Sequence, residues 1–385
     1  MKIKYNSIKP KIIWIGPYIP IKSTTSWIAA SPAASKWQKH LLESLVEENI
    51  DVEWIYYRPD SYWPKGRLFP SKEYISSDIS FNSTQIDYLN FFGLRNFTIK
   101  FFLSKILKKL KSQSNKSDPL ILISYNSPKW INDIFLNKKI LGNFFQIYLL
   151  ADDPVLNSAD GYIFLSFHNF KKYKLINKLH LDGAIYPHKK NYNFKKISKK
   201  KNKTIFFYSG SMHKWGGVKL LIEAMRYIKR NDLELWISGP GDYKLVKKAS
   251  NIDNRIKFLG LLTDEQLKNI YQKADVFLNP RPINMPGNEF NFPSKLFDYL
   301  AWNKPIISTF TKSLSPEYKD ILYIIKDSPI AFAETMSLFT NKRKFNQKLD
   351  PLFLKNKSWK KQAQRLIFFI NKIVKKKLDI KNNDF

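Results

Sequence analysis

Along the chain, short apolar runs rich in β-branched residues alternate with longer stretches in which apolar residues recur every three to four positions. That alternation predicts parallel strands separated by helices covering both faces of a sheet. Residues 11–15 read as the first strand, broken by Gly16-Pro17 and followed by a loop rich in Ser and Thr. Ser31-Pro32 offers an N-cap with proline at the first helical position, and this helix runs to about residue 49. Strands are expected at 52–57, 120–124, 146–150, 161–166 and 183–186, making one doubly wound domain over residues 1–195.

Residues 194–203, FKKISKKKNK, carry six Lys and no packing pattern, so they read as a linker. The rhythm then restarts over residues 204–357. Strands are expected at 204–208, 233–238, 256–259, 276–279, 306–309 and 322–325. Helices are expected at 218–229 and 243–249, with another capped by Thr263 and carrying Glu265 in its first turn. Apolar Ala363, Leu366, Ile367, Ile370 and Ile373 at helical spacing place a last helix over about 359–375. Residues 358–378 are expected to cross back onto the first domain. The fold class is therefore α/β, two doubly wound domains with ligands at the carboxyl ends of their strands.

Composition narrows the class. The 385 residues suit two domains, and 44% hydrophobic with 15% aromatic content is globular. The absence of Cys excludes disulfides and thiolate metal sites. No signal-peptide pattern is read, and no apolar run approaches the ~18 residues a membrane span needs. The expectation is a cytoplasmic protein, either free or peripheral on the inner face of the cytoplasmic membrane.

The net charge of +33 invites a polyanion, but only nine of the 65 basic residues are Arg. With abundant Asn and Ile, that skew also fits drift toward A/T-rich codons. An anionic membrane surface stays open as a partner; nucleic acid is disfavoured because Arg, the residue of bidentate recognition, is scarce. In FFLSKILKKLK (101–111), Leu103, Ile106, Leu107 and Leu110 share one face. This reads as a helix covering a sheet, its Lys face solvated or touching lipid. Tyr62-Trp63-Pro64 is either a packed loop or a headgroup contact.

Candidate chemistry lies in three strand-to-helix loops of the second half. Residues 208–217, YSGSMHKWGG, combine glycines that let backbone approach a diphosphate with Lys214 to neutralise it. Residues 286–308 place Glu289 in a loop, then Ser294-Lys295 at a helix start, then Asp298 to accept from ribose hydroxyls. Residues 237–242, ISGPGD, would wall a base pocket through Gly239 and Pro240. The competing reading of each is a flexible turn with solvated charges. Five His without a ligand-spaced pair give no metal site, and no Gly-x-Ser-x-Gly elbow is present.

The runs FYSGSMHKWGGVKLLIEAM, LELWISGPG, IKFLGLLTDEQLKNIYQKADVFLNP and NEFNFPSKLFDYLAWNKPIIST resemble the C-terminal domain of GT-B glycosyltransferases, retaining family 4 above all. The resemblance implies two Rossmann-like domains facing a central cleft. It further implies sugar transfer from a nucleotide diphosphate sugar (UDP-, GDP- or dTDP-linked) to a glycan or lipid-linked acceptor, with retained configuration and no metal. It places Lys214 with Ser211 and His213, and Ser294 and Lys295 with Leu296, on the donor diphosphate, and Asp298 on the ribose. The first acid of the family's E-x7-E motif falls on Phe290. Either Glu289 shifts into that place or backbone N–H groups at Phe290 and Asn291 meet the sugar. On the acceptor side Gly16 lines the loop after the first strand. Asn126 stands where relatives carry a His, and Asp153 supplies the nearest carboxylate. An inactive polyanion-binding relative and a sugar-nucleotide epimerase on the same fold remain as alternatives.

Overall fold

The computed structural model describes residues 10–20, 31–72, 78–114, 118–142, 144–152, 156–185, 203–340 and 350–383. They gather into two compact units. Unit 1 takes its residues from 1–165, 170–183 and 359–385, and unit 2 from 166–169 and 184–358.

Unit 1 opens with β1 (Lys11–Pro17), α1 (Pro32–Glu47), β2 (Asp51–Tyr57) and β3 (Ser83–Gln85). It continues through α2 (Arg95–Gln113), β4 (Leu120–Tyr125), α3 (Lys129–Phe135), α4 (Lys138–Leu141) and β5 (Phe145–Leu150). Then come β6 (Gly161–Phe164), α5 (Phe167–Lys172), whose first three residues are counted with unit 2, and β7 (Lys178–His180). All seven strands are parallel in the order β3-β2-β1-β4-β5-β6-β7. The central strands are buried on both faces, which is why they read as unbroken apolar runs.

Two expectations are corrected here. Gly16 and Pro17 extend β1 instead of breaking it. The ladder to β4 stops at Ile15, so the missing N–H of Pro17 faces no partner strand, and Tyr18 N–H bonds the Tyr57 carbonyl at 3.0 Å. No strand forms at 183–185, because Gly183 turns there at φ 135°; the edge strand is β7. Residue 186 and nearly all of the expected linker lie outside the described residues.

Unit 2 contains β8 (Thr204–Ser209), α6 (Val218–Tyr227), β9 (Leu233–Ser238), α7 (Lys244–Ile252) and β10 (Ile256–Phe258). It continues with α8 (Asp264–Lys273), β11 (Val276–Asn279), α9 (Lys295–Leu300), β12 (Ile306–Ser308) and β13 (Tyr323–Ile324), then α10 (Pro329–Thr340) and α11 (Pro351–Asn356). Its six parallel strands run β10-β9-β8-β11-β12-β13. Alternate residues of β8 point to opposite faces. Phe206 and Tyr208 join the layer under α6 and α10, while Ile205 and Phe207 join the layer under α9.

Helix α6 ends two residues earlier than its apolar pattern suggests. The Arg255 guanidinium, held by Asp253 at 2.6 Å, donates to the carbonyls of Met225, Ile228 and Arg230 and so satisfies that helix end. Helix α8 starts with a full capping box of Thr263 and Gln266, with Glu265 in its first turn. Thr263→Ala should lower stability by about 1 kcal/mol, read as a shifted denaturant midpoint at constant m-value.

The chain ends in α12 (Trp359–Asn383), which belongs to unit 1. Trp359 meets Trp37 of α1 edge-on at 5.8 Å, and Lys377 pairs with Asp160 at 2.8 Å. Gly161 lies so close under Ile373 that a Cβ would stand 2.5 Å from its methyl group.

Candidate active site at the switch point of the second sheet

In unit 2 the strand order reverses between β8 and β11. Ligands of open α/β sheets bind outside the carboxyl ends of the strands at such a point. Residues 210–217 leave from β8 and residues 280–294 leave from β11, ending at α9.

Tyr208 organises the site. Its side chain is fully buried, and its hydroxyl lies 2.7 Å from the Ser211 carbonyl and 3.1 Å from that of Gly216. Burial pushes the phenol above its ordinary pKa, so it stays a donor. The Lys295 ammonium sits 4.1 Å from the centroid of the same ring. Gly210 leaves room for it: a Cβ there would stand 2.9 Å from Nζ.

Burial first, and the Arg281 charge second, hold the Lys295 pKa well below the ordinary lysine value. Among the described residues no carboxylate pairs with that ammonium. Arg281 is aimed by the 283–294 loop, donating to the Asn291 carbonyl at 2.7 Å and to Asn291 Oδ1 at 3.0 Å. Two cations at one desolvated spot are unfavourable until an anion joins them.

The helix that carries Lys295 is fixed by its apolar positions. Leu296, Phe297 and Leu300 fill the core, and Ser209 N–H donates to the Tyr299 hydroxyl at 2.8 Å, clipping α9 to the end of β8. Lys295 and Asp298, three apart on the remaining face, stay partly accessible.

Lys214 opens a short 3-10 turn, exposed and without a carboxylate partner among the described residues. The neighbouring His213 ring stacks on Trp215 at 4.6 Å, and the His213 backbone N–H donates to Ser211 Oγ at 3.2 Å. Gly217, at φ 79°, brings this loop against the one after β11: a Cβ would overlap the Pro280 carbonyl at 1.7 Å. Asn288 ties the same loops, donating to the Pro282 and Trp215 carbonyls at 2.9 and 3.3 Å.

Several expected contacts are differently employed. Gly239 (φ 139°) and Pro240 back the first loop: Met212 N–H donates to the Pro240 carbonyl at 2.9 Å. The N–H groups of Phe290 and Asn291 both donate to the Gly287 carbonyl at 3.2 Å, and Ser294 N–H to the Phe292 carbonyl at 2.9 Å. A tight turn closes on itself here, each of these donors meeting a carbonyl of the same segment. Leu296 is fully buried, its N–H on the Pro293 carbonyl at 2.9 Å. Glu289 accepts from Gly287 N–H at 2.9 Å through Oε2, and its carbonyl accepts from Ser166 Oγ at 2.6 Å. The Phe290 ring lies 5.7 Å from that of His168.

In unit 1 the Gln38 side chain fills the space over Gly16, where a Cβ would stand 1.9 Å from Oε1, so this glycine serves helix packing. Asn126, in the left-handed region at φ 62°, accepts from Ala151 N–H at 2.8 Å and so joins the ends of β4 and β5. Asp153 lies outside the described residues. The sequence reading passed over Tyr208, Tyr299 and Arg281. A signal for Arg281 was present, since one of nine arginines directly follows a strand end at a switch point.

Residues 203–341 match the family described as glycosyl transferases group 1. No curated protein sequence matches the chain. Among solved structures, sucrose-phosphate synthase from Thermosynechococcus elongatus superposes with TM-score 0.60 at 13% identity, over 97% of this chain and 98% of that one. A putative UDP-N-acetylglucosamine 2-epimerase from Listeria monocytogenes gives 0.57 at 13%, over 96% and 97%. Anabaena HepE in complex with UDP and glucose gives 0.55 at 12%, over 96% and 99%. Identities this low establish fold alone. The chain has the GT-B fold of glycosyltransferases, and its residues 203–341 are the segment that matches the glycosyl transferases group 1 family.

Proposed function

We propose that this protein transfers a sugar from a nucleotide diphosphate sugar to a glycan or lipid-linked acceptor, with retention of anomeric configuration. The observation that carries the proposal is the Lys295 ammonium, desolvated over Tyr208, facing the charge of Arg281 and lacking a carboxylate among the described residues. A diphosphate supplies the missing negative charge, and it gains more of it as the glycosidic bond breaks. Preorganised cations at a leaving group act most strongly in the transition state. Lys214, on the loop held by the Tyr208 hydroxyl, adds a third cation; Asp298 is the acceptor for the ribose hydroxyls. In this reading side-chain cations, not a metal, neutralise the leaving diphosphate.

Support from relatives is coarser. HepE is described as complexed with UDP and glucose, which fits a nucleotide-sugar donor here. A second reading, conversion of the donor sugar without an acceptor, is supported by the fold likeness to the putative UDP-N-acetylglucosamine 2-epimerase.

A thermal-shift panel of UDP-, GDP-, dTDP- and CMP-sugars tests the donor class. A cognate donor at 100 times its Kd adds about 2.7 kcal/mol to stability, raising Tm by several degrees. A panel that leaves Tm unmoved throughout would rule out the donor site. Product analysis of the responding sugar, without acceptor, separates epimerisation from transfer.

A further inference from the structure

We propose that unit 1 docks on an anionic lipid bilayer through an aromatic surface built from residues 62–69 and the first turns of α2. The outer face of a sheet-covering helix is ordinarily polar. On α2 the inner face behaves as expected, with Ile99, Leu103 and Leu107 fully buried. The outer face does not: Phe97 is 64% exposed, Phe101 47% and Phe102 36%.

Just before the helix, Phe92 is 76% exposed and meets Tyr62 edge-on at 5.6 Å, while Trp63 stacks on Phe91 at 6.0 Å. Phe101 in turn meets Phe102 edge-on at 5.4 Å, so exposed rings recur from residue 62 through 102 where an ordinary surface would scatter them singly. The loop carrying Tyr62 and Trp63 is rigidly held. Asn90 donates to the Ser61 and Arg67 carbonyls at 2.6 and 2.7 Å, and Trp63 N–H bonds the Asn90 carbonyl at 3.1 Å.

Charge selects the occupant. Lys72 lies 4.6 Å from the Phe69 ring centroid and Lys105 4.4 Å from that of Phe101, so cations sit among the rings. Lys108 and Lys109 are exposed further along the helix. Within 60–72 and 87–111 the acids are Asp60, buried against Arg67, and Asp87. Amphipathic rings with interleaved Lys fit the headgroup layer, where aromatic residues settle and anionic lipid attracts basic ones. No helix among the described residues is long and apolar enough to cross a membrane, so attachment is interfacial.

The proposal specifies the lipid-linked acceptor reading above, yet its test needs no transfer. The full chain is sedimented with vesicles of phosphatidylcholine alone and of phosphatidylcholine mixed with phosphatidylglycerol. Binding to the mixed vesicles, weakened by salt, is expected, with little to neutral ones. The triple variant Phe92→Ser/Phe97→Ser/Phe101→Ser should bind about tenfold more weakly or worse, with an unchanged nucleotide thermal shift. If that variant does not fold, Lys105→Glu with Lys109→Glu carries the same expectation. No binding by the wild type overturns the proposal, as does wild-type binding by the variants. A patch that instead joins two copies in solution, lost in the Phe variants, also overturns it. None of these outcomes touches the donor site.

Discussion

Lys295→Met should weaken nucleoside diphosphate binding by about tenfold to a hundredfold while raising the melting temperature of the free protein. The opposite signs follow from one cause. In the free protein a desolvated ammonium beside Arg281 is unfavourable, and a thioether of similar length removes that cost, worth about 1–2 kcal/mol. In the complex the same ammonium meets a diphosphate, and losing one such contact costs about 2–4 kcal/mol once the transition state is reached. Calorimetry with the nucleotide selected by the thermal-shift panel, beside a melt without ligand, reads both. A variant that binds as well as the wild type would remove Lys295 from the donor site; one that is less stable would mean that the lysine is structural.

The same lysine sets a pH dependence. Its folded pKa is depressed, so between that value and the ordinary lysine value the unfolded chain binds more protons. Its contribution to stability therefore rises with pH across that window. A bound anion raises the pKa again, so nucleotide binding in the window takes up a proton and affinity falls as pH rises. Titrations in two buffers of different ionisation enthalpy measure the uptake directly.

Gly239→Ala should be a severely damaging methyl addition near the site, as Gly217→Ala should be against the Pro280 carbonyl. Gly239 stands at φ 139°, and the new Cβ would lie 2.0 Å from the Gly210 carbonyl oxygen. Backbone faces backbone there, so no side chain can swing aside. Destabilisation of roughly 3 kcal/mol or more is expected, from strain and overpacking together. Because the displaced segment is the loop that carries Gly210 and Met212, nucleotide affinity should fall too, even for protein that remains folded. Chemical denaturation gives the first effect and calorimetry the second. Gly260→Ala is the comparison: it has a positive φ of 70° but open space around its Cβ, so its cost should be strain alone.

The order of strands and helices was legible in the sequence because each buried parallel strand must be apolar on both faces and each covering helix apolar on one. The resemblance likewise brought Lys214, Lys295 and Asp298 forward as a group. What it could not show is how a turn spends its own N–H groups. Phe290, Asn291 and Ser294 offered donors on paper, and the fold of residues 286–296 consumes them internally. Nor does periodicity distinguish a lysine in water from one over a buried phenol. Residues 281 and 295 share the β11–α9 connection, and residue 208, far from both in the chain, meets them because β8 and β11 are neighbours at the point where the sheet reverses. Local pattern determined the elements. Long-range strand pairing decided which charges come together away from water, and that shared loss of hydration is the physical reason we propose an anion there.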